Sequence, residues 1–76
     1  MNDKEMTFSE WWRGLAPTEK DRVSIELSAA CNVSLATVRS WGIGYRTPRT
    51  RCQDIVAEFI RSETNEEVSP DTLFPN

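Results

Sequence analysis

The chain has 76 residues, 38% of them hydrophobic, with three Trp, three Phe, one Tyr and a net charge of −3. That is one small domain, too apolar for a disordered chain and without an apolar run near the ~18 residues of a membrane span. The polar start, 1–5, lacks the apolar core of a leader peptide; two cysteines exclude a disulfide framework or a four-ligand zinc site; and the absence of histidine removes the commonest general base and metal ligand.

The composition therefore predicts a soluble, cytoplasmic module that is not an enzyme and holds no cofactor or metal. The two cysteines fall on apolar faces and read as buried free thiols. Charge is more telling by region than in total. Residues 1–26 carry −2, residues 27–53 carry +4 and residues 54–76 carry −5. The middle segment has no acid, and its only charges are Arg39, Arg46, Arg49 and Arg51. Arginine is the side chain best matched to phosphates and to guanine edges, so a basic centre between acidic ends suggests a local polyanion footprint.

In chain order, the punctuation predicts four or five short helices. Thr7 and Glu10 form a capping-box pattern, and Phe8, Trp12 and Leu15 follow at helical spacing, giving a helix over 8–15 that Gly14 and Pro17 end. Trp11 falls off that stripe and is expected to be partly exposed, a candidate partner patch. Thr18 to Asp21 repeats the capping pattern, and a second helix runs to 31 with Val23, Leu27, Ala30 and Cys31 on its apolar face. Asn32 tolerates the left-handed conformation of a tight exit.

Ser34 caps a third helix over 35–42, whose apolar members are Leu35, Val38 and Trp41. Trp41 points inward, and Leu35, in the first turn, is also free to look outward. Gly42 and Gly44 end that helix. After a loop over 45–49, Thr47 or Thr50 caps a fourth helix, with Pro48 favouring its first turn. Cys52, Ile55, Val56, Phe59 and Ile60 give it the clearest amphipathic pattern in the chain, to about 62. An acidic loop over 62–68 leads to Ser69-Pro70, a cap and first-turn proline for a last short helical turn that returns Leu73 and Phe74 to the core. Nothing alternates as a strand would, so the fold class is all-α.

The second and third helices are separated only by Asn32-Val33-Ser34. Ser28 or Ala29 supplies a small residue where the two approach, and Leu27, Val33, Val38 and Trp41 are placed to fix their crossing. This is the pattern of a helix-turn-helix, in which the second helix enters the major groove by its N-terminal end. The stretch from Glu26 to Ser34, then Thr37-Val38-Arg39-Ser40-Trp41, then Gly44 and Pro48 in a W-x-x-G-x-x-x-P spacing, resembles the Cro/repressor-type (XRE-like) family of DNA-binding regulators. The ending from Val68 to Phe74 is similar too. The departures are Ser28 for an alanine, Cys31 for a larger aliphatic, Asn32 for a glycine, Ser24 nearest to the position of a phosphate-holding Gln, and an acidic insertion over 62–67.

The resemblance implies a compact, lambda-repressor-like bundle of four to five short helices. The whole chain, 1–76, would form a single helix-turn-helix domain, with the motif at about 23–42 and the acidic loop and short helix at 62–76. It implies sequence-specific binding of double-stranded DNA and a role in transcription regulation. The base-facing candidates are Ser34, Leu35, Ala36, Arg39, Ser40 and Ile43, with Arg39 suited to guanine and Leu35, Ala36 and Ile43 to thymine methyls. The phosphate candidates are Ser24, Tyr45, Arg46, Thr47, Arg49 and Arg51, with the amides that open the second and third helices.

Other readings stay open beside these. Arg49 and Arg51 could instead pair with Asp54, Glu58 or the acidic loop. The fold could serve as a protein-interaction module without DNA binding, favoured by the net acidity and by Leu35 and Ile43. Binding could be monomeric, or through a homodimer formed by the fourth helix, the C-terminal segment or the N-terminal Trp pair.

Overall fold

The computed structural model describes residues 6–75; the polar start, 1–5, and Asn76 lie outside the described residues. Within them the regular structure is helical: α1 (Phe8–Arg13), α2 (Pro17–Cys31), α3 (Leu35–Gly42), α4 (Thr50–Thr64) and α5 (Pro70–Leu73). The all-α expectation holds.

Local chemistry fixes most of the helix ends. At α1 the capping box is complete: the Glu10 amide donates to the Thr7 hydroxyl (3.1 Å) and the Thr7 amide to the Glu10 carboxylate (3.0 Å). The helix stops at Arg13 rather than at 15, because Gly14 and Leu15 fold their amides back onto Trp11 and Trp12 carbonyls. Asn32 (φ 58°, ψ 50°) closes α2 in the left-handed region, as its residue type suggests. Ser34 caps α3 and Ser69 caps α5, each accepting from the amide three residues on.

Two caps differ from expectation. Thr18 does not cap α2: Ala16 is the cap residue, without a side-chain bond, and Pro17 takes the first helical position, where its missing N–H leaves nothing unsatisfied. Neither Thr47 nor Thr50 caps α4. Arg49 holds that position, again with no side-chain bond, and Pro48 precedes the helix with its carbonyl accepting from the Gln53 side chain (2.9 Å). α4 also runs two residues past 62, to Thr64, and ends at a second left-handed asparagine, Asn65 (φ 61°). The acidic connection is correspondingly shorter than 62–68.

Every helix gives side chains to one core: Phe8 and Trp12; Val23 and Leu27; Val38 and Trp41; Val56, Ala57 and Ile60; and Leu73, with Phe74 just beyond α5. Phe8 is the hinge of an aromatic cluster, with ring centroids 5.7 Å from Trp11, 5.9 Å from Trp12 and 5.5 Å from Phe74. Trp11, off the apolar stripe, is partly exposed as expected and packs its inner side on the core, while Trp12 is buried.

On α2, Ala30 is exposed while Ser24 is completely buried. At 100° per residue both positions lie about 60° from the centre of the Val23–Leu27–Cys31 stripe, and the packed face, Val23, Ser24 and Leu27, is turned to the Ser24 side. The Ser24 hydroxyl has no hydrogen-bond partner.

A close approach joins α1 to α3. A Cβ on Gly42 would lie 2.5–2.6 Å from the Trp12 ring atoms, and the Ser9 hydroxyl donates to the Gly42 carbonyl at 2.9 Å. At the surface, Arg22 of α2 gathers Glu19 (2.6 Å), Glu26 (3.2 Å) and, across to α4, Glu63 (2.7 Å). These carboxylates raise the Arg22 pKa, and Arg22 holds Glu63 below the ordinary carboxylate range.

Two predictions follow from this packing. Gly42→Ala forces Trp12 out of place and is expected to destabilise by about 1–3 kcal/mol, read as a lower midpoint in urea unfolding. Because the Glu63 pKa is lowered on folding, its link to Arg22 stabilises above the unfolded carboxylate pKa and is lost as pH falls through the folded one. Glu63→Gln is therefore expected to lower the Tm at neutral pH, and the gap to wild type should close on acidification and in high salt, measured by thermal denaturation across a pH series.

Candidate functional site

The residues singled out in the sequence lie on the segment from the end of α2 to the first turn of α4, with Ser24 the exception. Asn32 donates its amide to the Ser28 carbonyl, and so does Val33 (3.0 Å), which turns the chain sharply. After only three intervening residues, 32–34, the chain re-enters helix at Leu35. Ser34 then closes the start of α3: its hydroxyl accepts from the Thr37 amide (3.1 Å) and is 2.9 Å from the Thr37 hydroxyl. The amides of Leu35 and Ala36 open the helix and have no intrahelical acceptor.

Outward from this turn, Ser34, Leu35, Ala36, Arg39 and Ile43 are all exposed, with Leu35 at 40% and Ile43 at 72%. Val38 and Trp41 anchor the opposite face in the core, as their spacing predicts. Ser40 is half-buried. Its hydroxyl donates to the Thr37 carbonyl (2.6 Å), and its own carbonyl accepts from the Tyr45 and Arg46 amides (2.9 and 3.2 Å). Ser40 therefore organises the exit from α3. That exit needs Gly44, whose φ of +83° lies where side chains are strained.

Beyond the turn, Tyr45 is 73% exposed, and the Arg46 guanidinium lies 5.6 Å from the Tyr45 ring centroid. Thr47, Arg49 and Arg51 are exposed. Arg49 and Arg51 sit at the start of α4, which has no side-chain cap and no acid in its first turn. The free amides there add partial positive charge to the two guanidinium groups.

Among the described residues, Arg46, Arg49 and Arg51 have no ion pair, so the alternative pairing with Asp54 or Glu58 is not formed. Glu58 pairs instead with Arg61, which holds its pKa down. Arg22 and Arg61 are thus tied to carboxylates, while the arginines between 46 and 51 are open.

Ser24 does not belong with this group. It is fully buried in α2, so its hydroxyl is shut off from any phosphate at the surface. Sequence reasoning also missed Asp21. Its carboxylate accepts from the Arg39 guanidinium at 3.4 Å, joining α2 to α3 across the turn. No local pattern announces a pair separated by 18 positions.

Cys31 and Cys52 are free, half-buried thiols packed on the core. Burial, with the neighbouring Cys52 thiol, pushes Cys31 up to about 12. Among the described residues, no set of three or more His, Cys, Asp or Glu side chains could hold a metal ion, and no helix is long and apolar enough to cross a membrane. Comparison with protein-family models, with curated proteins and with solved structures finds no match to this chain.

Ser34→Ala removes the cap and is expected to cost about 1 kcal/mol, whereas Ser34→Asp, which keeps an acceptor there, should hold stability near wild type. Chemical denaturation of the three proteins checks both.

Proposed function

We propose that this protein binds double-stranded DNA sequence-specifically as a transcription regulator, with α2 and α3 acting as a lambda-repressor-like helix-turn-helix and α3 entering the major groove. The observation that carries this is the acid-free segment 27–53, in which Arg46, Arg49 and Arg51 are exposed and have no ion pair among the described residues, and in which Leu35, Ala36, Arg39 and Ile43 of α3 and its exit are exposed too. A protein of net charge −3 that leaves these cations without carboxylates is supplied locally with what a phosphate backbone requires.

In this reading Arg46, Arg49 and Arg51, with Tyr45, Thr47 and the opening amides of α3 and α4, hold phosphates. Leu35, Ala36, Arg39 and Ile43 face the bases. Ser34 and Ser40 chiefly shape the helix that carries them.

A second reading draws on the exposure of Leu35, Ile43 and Tyr45: α3 and its exit would dock another protein. Salt separates the two. Three arginine–phosphate contacts predict a slope of log affinity against log salt of about −2.7 per monomer, and each single Arg→Ala at 46, 49 or 51 should reduce the slope by about 1. Fluorescence anisotropy on a labelled duplex measures it. A slope near zero would remove DNA binding and leave the protein-docking reading.

A further inference from the structure

We propose that Asp21 positions Arg39 to read a single guanine, and that the apolar side chains beside it direct the remaining base contacts to thymines. This rests on the duplex-binding reading above and names what that surface selects.

The outward-facing set between 34 and 43 is chemically narrow. It holds one cation, Arg39, and three apolar groups, Leu35, Ala36 and Ile43. Its two serines have prior engagements, Ser34 in the α3 cap and Ser40 with the Thr37 carbonyl. No Asn, Gln, Asp or Glu occurs anywhere in 34–43. In the major groove, adenine is matched by Asn or Gln, cytosine by Asp or Glu, guanine by Arg or Lys, and the thymine methyl by apolar groups. The helix therefore carries the chemistry for guanine and thymine, and lacks the side chains for a bidentate adenine contact or a direct acceptor for cytosine.

An arginine alone on a surface samples many rotamers and meets phosphates as readily as bases. Arg39 is not alone. One terminal nitrogen donates to Asp21 Oδ1 at 3.4 Å, from the helix before the turn. Guanidinium has five N–H donors in a fixed plane, so this contact leaves donors for O6 and N7 of guanine while restricting where the plane points.

Asp21 is itself well exposed, with 69% of its side chain accessible. Near DNA its negative charge opposes the phosphates. Asp21 is thus a positioning residue that favours discrimination at the expense of total affinity, two quantities that can be measured separately.

The experiment is selection from random duplexes with the full chain, followed by anisotropy titration of the wild type, Asp21→Asn, Asp21→Glu and Arg39→Ala, each checked for native helicity. The wild type is expected to select a guanine next to thymines. Changing that guanine to adenine should weaken it about 5- to 100-fold, and replacing a neighbouring thymine by uracil, which deletes only the methyl, should also weaken it. Arg39→Ala should lose the guanine preference. Asp21→Asn should bind the selected site as tightly as wild type or more so, yet lose several-fold in guanine discrimination, with partial recovery in Asp21→Glu.

Undiminished discrimination in Asp21→Asn, or a selected site without guanine, overturns the proposal while a steep salt slope leaves the duplex-binding reading standing. Absence of duplex binding by the folded wild type at low salt overturns both.

Discussion

The indole of Trp12 occupies the space in which any side chain at position 42 would begin. That exclusion sets how α3 sits in the molecule. Trp12 and the Ser9 hydroxyl hold the C-terminal end of α3 against α1, while Val38 and Trp41 are buried in the shared core. The other end is set by the left-handed Asn32 and the Ser34 cap. A helix of eight residues is too short to be stable alone. It exists here because both ends and one face are fixed from outside, which leaves the opposite face free of internal duties.

Charge is partitioned in the same spirit. Arg22 collects three carboxylates and links α2 to α4, and Arg61 pairs within its own helix. Such exposed pairs add little to stability individually. Glu19, Glu26, Glu58 and Glu63 are thereby matched with cations outside the central segment, and the arginines from 46 to 51 have no ion pair among the described residues. Arg39 lies between these regimes, exposed yet in contact with Asp21.

The features legible in the sequence were those governed by a few neighbouring residues. The Thr7–Glu10 box, the Ser34 and Ser69 caps, the Asn32 exit and the spacing of Val38 with Trp41 all follow from local stereochemistry. At both α2 and α4 a nearby threonine looks like a better cap than Ala16 or Arg49; at α2, Pro17 in the first helical position sets the entry conformation instead. Ser24 enters the phosphate candidates only through the resemblance, as the residue nearest to a phosphate-holding Gln, whereas the packing of α2 buries it completely. Contacts such as Arg22 with Glu63 or Arg39 with Asp21 depend on how helices are stacked, and periodicity within one helix carries no record of that. The candidate surface was therefore readable as a list of exposed residues on α3 and the following loop, but not as a geometry.

The buried hydroxyl of Ser24 has a consequence for how this chain can vary. A desolvated polar group without a partner is a standing cost to the folded state, and alanine would remove it while giving up only one heavy atom of packing. Most core positions in so small a domain resist change, yet here drift toward an apolar residue would make the protein sturdier. Position 24 is a reserve on which a lineage could draw when substitutions elsewhere in the chain weaken the fold.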